Sequence, residues 1–439
     1  MDSQRKRKWR WKSCARPKKL QRLSVRKEDA SLYKFVLWCK AVGIRINDKV
    51  TLTRHGSCAN IGMIARRPIT EGTWLAKIPR TAVLCCSNSK LSRTLQYDSD
   101  LCPQLPELTS WLPLILSLLY EQDKQDSYWR PYLDIVPNKE SLSPPLLWTP
   151  EERTGLLAGT SVAEQVQGDY DHMMQEYTSH ALPFMTKHNN LYSPHQQGME
   201  QYSKMVGLVM SYSFSDPEED DPLKQTMMVP VIDLLNHHSN HHAELTFHEK
   251  YLLLTAIRDI KKGEEVMNTY GPLCNAGLVR MYGFAESDNP NDKAYIPVSL
   301  VKELSVEEAV QSDPTMLTKR WKSIINKYEI VEDDEFMEVS LDDTESLLLL
   351  IKMLHAPIGQ VKSLLKYQSM DISDLSSHES SFAIKLICKC LELLPLAVSC
   401  KGCSQTRQQV SDILRSGQRT CLLSIKQQLE SETKRTTSL

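Results

Sequence analysis

The chain has 439 residues, 41% of them apolar and 24% charged, which at about 100–200 residues per domain is enough for two or three folded units with their own cores. These proportions exclude general disorder, collagen and a pure coiled coil, and the most apolar run, Trp111–Tyr120, is about half the roughly 20 residues a membrane span needs. The net charge of −1 conceals an asymmetry: residues 1–27 hold twelve Lys and Arg against Asp2 alone, and the remainder carries 41 basic and 53 acidic residues.

The basic arm, about residues 1–30, contains the clusters Arg5–Lys8 and Arg16–Lys19 and passes into polar sequence without an apolar h-region. It therefore reads as a nuclear-import address rather than a secretory signal, with a solvated tail as the simpler alternative. A nuclear location is expected. The acidic body excludes a broad electrostatic face for DNA, so neither a nucleic acid nor a membrane is expected as a partner. Twelve scattered cysteines suit a reducing compartment.

In chain order, Leu32, Phe35, Val36, Cys39 and Val42 recur at helical spacing and predict an amphipathic helix. Short strand-like runs follow at Val50–Thr53, Met63–Ala65 and Trp74–Ile78, the last after a Glu71–Gly72 turn. From about Trp111 to Ser213 helical stretches broken by Pro131, Pro137, Pro144 and Pro145 predict a helical block. The acidic Asp216–Asp221 segment between prolines reads as a mobile surface loop. Strand character returns at Met227–Leu235, Leu245–Phe247, Tyr251–Ile257 and, after a Lys261–Gly263 turn, Val266–Tyr270. Arg67, Ile69, Gly72 and Leu75 share their spacing with Arg258, Ile260, Gly263 and Val266, as though one β-domain were split by the helical block. Beyond about residue 305 the pattern is helical only, at Met316–Tyr328, Glu345–His355, Phe382–Leu394 and Thr406–Leu429, which predicts a separate helical domain.

Three constellations carry chemistry. His237, His238, His241 and His242 invite a metal, but no Glu follows His237 as in zinc proteases, and Ser239–Asn240 favours a turn over a helix. Cys388, Cys390, Cys400 and Cys403 offer four thiols, yet the first two lie on a predicted helix and point to different faces. No metal is expected. The third group, Asn268–Gly271 followed by Met281–Phe284, sets two tyrosines beside glycines, which alone is no more than a pair of core aromatics.

Taken in order, Ile61–Arg66, Ile69–Gly72, Asp233–His237, Gly263–Val266 and Asn268–Gly271 resemble the SET-domain methyltransferases. The similarity is to the branch with a helical insertion inside the SET domain, typified by the Rubisco large-subunit lysine methyltransferase. Trp129–Tyr132, Leu182–Met185, Val209–Phe214 and Met281–Phe284 resemble the nuclear members of that branch that act on the RelA subunit of NF-kappa-B. The resemblance implies an α+β SET domain of short strands with a pseudoknot over about 31–303, its helical insertion at about 95–215, and an all-α substrate-binding domain over 304–439.

It further implies S-adenosylmethionine (SAM) as cofactor and a lysine-containing protein segment as substrate. Ala59, Asn60 and Ile61 resemble the loop whose backbone holds SAM, and Asn236 and His237 the pair that secures it beside the pseudoknot. Tyr270 resembles the catalytic tyrosine, Tyr212 and Tyr282 the aromatic walls of the cofactor and lysine channel, and Trp111 a substrate-side residue. Asn60 stands where many relatives have glycine, a replacement that a left-handed turn tolerates. Two other readings stay open: a methyltransferase for another side chain such as histidine, and an inactive SET scaffold.

Overall fold

The computed structural model describes residues 30–56, 61–109, 111–137, 142–309, 336–340, 342–356, 360, 364, 370–398, 400 and 402–437. The basic arm, Ala59, Asn60 and the predicted Met316–Tyr328 helix lie outside them. The predicted first helix spans Ala30–Ala41 and buries Leu32, Phe35, Val36, Trp38 and Cys39, one side of a helical 3.6-residue repeat. Its Trp38 ring stacks on Tyr132, 6.3 Å away, in the Arg130–Leu133 turn.

Strands β1 (Arg45–Ile46), β2 (Val50–Thr53), β3 (Gly62–Ala65) and β4 (Trp74–Pro79) follow. After the helical block come β5 (Ser213–Ser215), β6 (Thr226–Met228), β7 (Ala243–Phe247) and β8 (Tyr251–Ala256). The central sheet has the order β1-β4-β8-β7 and is antiparallel, while β2–β3 and β5–β6 pair separately. The echo noticed in the sequence is physical. Ile69 and Ile260 exchange both backbone hydrogen bonds at 2.9 Å; Gly72 N–H donates to the Ala256 carbonyl, and Gly263 N–H to that of Ala65. Both glycines are left-handed, with φ of 76° and 90°, a region open to glycine at little steric cost. Two equivalent turns thus clasp each other across the sheet.

Between the turns lies the helical block, in which Leu112–Asp123 and Met199–Tyr212 pack together and feed the main core, a cluster running from Leu32 to Val266. A second cluster runs from Ala294 to Leu429 and includes the helices Val298–Ala309, Glu345–His355 and Ser377–Leu393. A third ties Trp148, Leu156 and Val162 of the block to Ala276 and Val279 and to Val410 and Leu414 of the long helix Gln405–Thr437.

Several expectations change. The predicted strand Met227–Leu235 stops at Met228, because Pro230 has no N–H to donate; Val231 then turns at φ 82° into a 3-10 turn, Ile232–Leu234. Val266–Tyr270 forms no strand, since its ends pair with different neighbours: Val266 with Met63, and Asn268 with Asn236. The acidic segment, read from sequence as a surface loop, is anchored at both ends. Asp216 is buried and pairs with Arg80 at 2.6 Å, and Asp221 caps the turn Pro222–Gln225. Strands also persist past residue 305, as β9 (Ala294–Pro297) pairs with β10 (Phe336–Val339). Cys400 and Cys403 are joined in a disulfide, brought round by Gly402 at φ 82°. Cys388 and Cys390, both read from sequence as small buried residues of a helix, are free thiols, Cys390 buried and Cys388 only partly so.

Candidate active site

The site forms where Leu235–His238 runs alongside Asn268–Tyr270. Asn268 N–H donates to the Asn236 carbonyl (2.9 Å) and His238 N–H to that of Asn268 (3.1 Å), a parallel bridge between His237 and Asn268. Val266 N–H donates to the Met63 carbonyl, so one short segment connects β3 to the Asn236–His237 strip. Tyr270 is placed from both ends: its N–H donates to His237 Nδ1 (3.0 Å) and its hydroxyl to the Leu235 carbonyl (2.9 Å).

The first of these bonds fixes the tautomer of His237. With Nδ1 accepting, the hydrogen sits on Nε2, which faces Glu286 at 3.6 Å and has no hydrogen-bond partner among the described residues. Burial lowers the His237 pKa, partly opposed by Glu286, and keeps the ring neutral. Glu286 also accepts from Ser239, from its backbone N–H and its hydroxyl, and so braces the strip from behind. Nothing in its sequence neighbourhood marked Glu286.

Tyr282 comes from the end of the helix Asn275–Tyr282. That helix stops at Gly283, left-handed at φ 75°, where a Cβ would overlap the Ser143 carbonyl, so only glycine turns the chain there. The turn delivers Phe284 to the same place. Tyr270 lies 4.6 Å from Tyr282 and 5.1 Å from His237 between ring centres, and Phe284 closes the group at 5.9 Å from His237 and 6.0 Å from Tyr282. Tyr212 ends the helix Met199–Tyr212, and the preceding Ser211 hydroxyl donates to the Met281 carbonyl (2.9 Å), which brings the two helix ends together. Burial pushes the Tyr212 and Tyr282 hydroxyls up to about 12, Tyr212 with a further push from Asp233. Both stay protonated donors at neutral pH.

Asn236 Nδ2 donates to Glu265 Oε1 at 2.6 Å, and Gly56 and Gly62 abut this pair so closely that a Cβ at Gly62 would overlap Glu265 Oε1. Ile61 beside them is buried. The two glycines let backbone approach the Asn236–Glu265 pair closely, as a cradle for a polar, extended cofactor requires. The residues present fit SAM: backbone and carboxamide for its polar parts, and aromatic faces for its ring and sulfonium. Trp111 precedes the helix Leu112–Asp123 and lies partly buried on the main core. Among the described residues no ring contact joins it to the aromatic group. The histidine run is not helical, and His242 Nδ1 is engaged with the Met267 N–H (3.2 Å).

The SET domain matches residues 60–271, the span that carries Ile61, Tyr212, Asn236, His237 and Tyr270. The N-lysine methyltransferase setd6 of Salmo salar is 38% identical over 72% of this chain and 72% of its own length. The chain belongs to the SETD6 family of SET-domain N-lysine methyltransferases. SETD6 of Bos taurus is 35% identical over 81% of this chain and 80% of its own. The Homo sapiens protein is 32% identical over 75% and 76%. Among solved structures, the SET domain of LSMT bound to lysine and AdoHcy superposes with a TM-score of 0.64 at 17% identity, covering 93% of each chain. Rubisco LSMT bound to AdoMet gives 0.62 at 17%, covering 94% of each. These two share the fold predicted from the motifs: a SET domain of short strands interrupted by helices, with a helical C-terminal region. The SETD6 family assignment makes the chain an N-lysine methyltransferase. No described helix is long and apolar enough to cross a membrane.

Proposed function

We propose that this chain transfers methyl groups from SAM to a lysine side chain of a non-histone nuclear protein, with a segment like that of RelA as the substrate. The observation that carries the reading is the aromatic group of Tyr270, Tyr282 and Phe284 closed around neutral His237, directly beside Asn236. SAM supplies an electrophilic methyl group on a sulfonium. The chain's own residues do the positioning, which for an in-line displacement at about 3 Å is most of the catalysis. Tyr282 and Tyr212 desolvate the entering lysine, which lowers its pKa and favours the neutral amine. Tyr270, its hydroxyl held by the Leu235 carbonyl, keeps an oxygen lone pair for the amine hydrogens and orients the nitrogen. The Leu235 carbonyl retains a second acceptor site, which suits weak C–H···O contact with a methyl group. Asn236 and His237 hold the cofactor, together with Ala59, Asn60 and Ile61, and Trp111 contacts the substrate. Support for the nuclear location is the basic arm; a tagged chain lacking residues 1–27 is expected in the cytoplasm.

The test is transfer of labelled methyl from SAM into nuclear extract and into a recombinant RelA fragment, with mass spectrometry of the modified peptides. Label on lysine in the wild type is expected, and label on histidine would overturn the assignment. Tyr270→Phe keeps the ring and is expected to lower kcat on the order of 10²-fold with SAM affinity nearly unchanged. A full-rate variant would remove Tyr270 from the mechanism.

A further inference from the structure

Away from the aromatic site, three metal-capable side chains converge on the C-terminal hydrophobic cluster from three different helices. Glu308 lies near the end of Val298–Ala309, His355 is the last residue of Glu345–His355, and His378 is in the first turn of Ser377–Leu393. One ligand atom from each lies within 4.8 Å of the other two. The sequence separates them by 47 and 23 positions, and no spacing motif connects them.

The hydrogen bonds of His355 give the cluster its chemistry. Its Nδ1 is 2.8 Å from the Ile351 carbonyl, an acceptor only, so Nδ1 carries a hydrogen. In the neutral ring the lone pair is then on Nε2, and Nε2 faces Glu308 Oε2 at 3.3 Å. Two electron-rich atoms at that distance require a cation. A backbone carbonyl on the remote ring nitrogen is also how metal-binding imidazoles are oriented. The ring is further held by the buried Phe382, edge-on at 4.9 Å and 69°.

A proton on Nε2 would satisfy Glu308 and His355, but it leaves no task for His378, whose ring meets that of His355 at 5.1 Å and 74°. A metal ion uses all three. Ligands at about 2.0–2.1 Å from a tetrahedral centre stand about 3.3 Å apart, the spacing Glu308 and His355 already have. His378 is exposed and can close the remaining gap by side-chain rotation. Two imidazoles and one carboxylate form a borderline donor set suited to zinc, and offer too few oxygens for calcium or magnesium.

We propose that Glu308, His355 and His378 bind one zinc ion, with water in the fourth position, and that the ion clasps three helices of the C-terminal domain. None of the three touches the aromatic group, so the ion is a structural staple and methyl transfer does not pass through it. The test uses the full chain without a polyhistidine tag, stripped of metal and titrated with Co²⁺. Expected are saturable visible d–d absorption at one ion per chain, displacement by Zn²⁺ but not by Mg²⁺, and a higher melting temperature with Zn²⁺. His378→Ala and Glu308→Ala, both at exposed positions, are each expected to weaken Co²⁺ binding by at least about 10-fold; His241→Ala leaves it unchanged. Absence of one-to-one binding, a thiolate charge-transfer band, or loss of binding in His241→Ala with retention in both other variants would each overturn the assignment.

Discussion

Asp233 is fully buried three residues before Asn236, accepting from the Tyr132 hydroxyl through one oxygen while the other has no hydrogen-bond partner among the described residues. Burial raises its pKa to about 8, so the folded protein keeps a proton that the unfolded chain releases near pH 4. The sign follows from linkage: this stability is complete below about pH 4, is lost as pH rises to about 8, and is constant above. Asp233→Asn cannot ionise, so its melting temperature is expected to gain on the wild type steadily from pH 5 to 8 and then hold its lead. A pH-independent gap between the two proteins would contradict the buried neutral acid. At Asn236 the expectation concerns the cofactor. Asn236→Ala removes the donor to Glu265 and a polar contact in the cradle, at a cost of about 1–3 kcal/mol, or roughly 5–150-fold in SAM affinity. Calorimetry on the folded variant measures it.

Among the elements, Gly72 and Gly283 both turn the chain at positive φ, but a Cβ at Gly72 would meet nothing within 4 Å whereas one at Gly283 overlaps the Ser143 carbonyl. Gly72→Ala is therefore expected to cost about 1 kcal/mol of backbone strain, and Gly283→Ala clearly more, with displacement of Tyr282 and a fall in activity. Denaturant titration of the two variants ranks them, and equal costs would remove the steric argument. The elements that sequence reasoning located well were those with periodic burial: the helices Ala30–Ala41 and Glu345–His355, and strands such as Val50–Thr53. It failed where one residue overrode the pattern, as Pro230 does after Met228, or where a segment is shared by two partners, as Val266–Tyr270 is. The aromatic site was legible because its tyrosines sit in ordered motifs. Glu286 and Glu308 were not, since a carboxylate whose partners are distant in sequence looks like any solvated charge.

Across the whole molecule, the long helix Gln405–Thr437 is tied to the inserted helical block through a fully buried arginine. Arg415 donates to the Leu156 carbonyl at 2.7 Å, its Nε and Nη1 lack hydrogen-bond partners among the described residues, and burial lowers its pKa. Charge desolvation is costly where, as among the described residues here, no carboxylate forms an ion pair with the guanidinium and Asp412 offsets the burial only in part, and the Ser411 hydroxyl already satisfies the same carbonyl at 2.5 Å. Arg415→Met is therefore expected to match or exceed wild-type thermal stability, and a melting temperature several degrees lower would show that the guanidinium earns its place. The reciprocal clasp between the two turns bears on when the protein can fold at all. Its contacts join positions as far apart as Ala65 and Gly263, 198 residues along the chain, so loop closure over that length precedes any gain from the pairing of β4 with β8. On the ribosome, β4 emerges long before β8 exists. A nascent chain must hold the β8-facing edge of that strand unpaired through the synthesis of the entire helical block, during which this open edge can pair with another chain. Yield in the cell is thus set by how well that interval is guarded as well as by the stability of the finished fold.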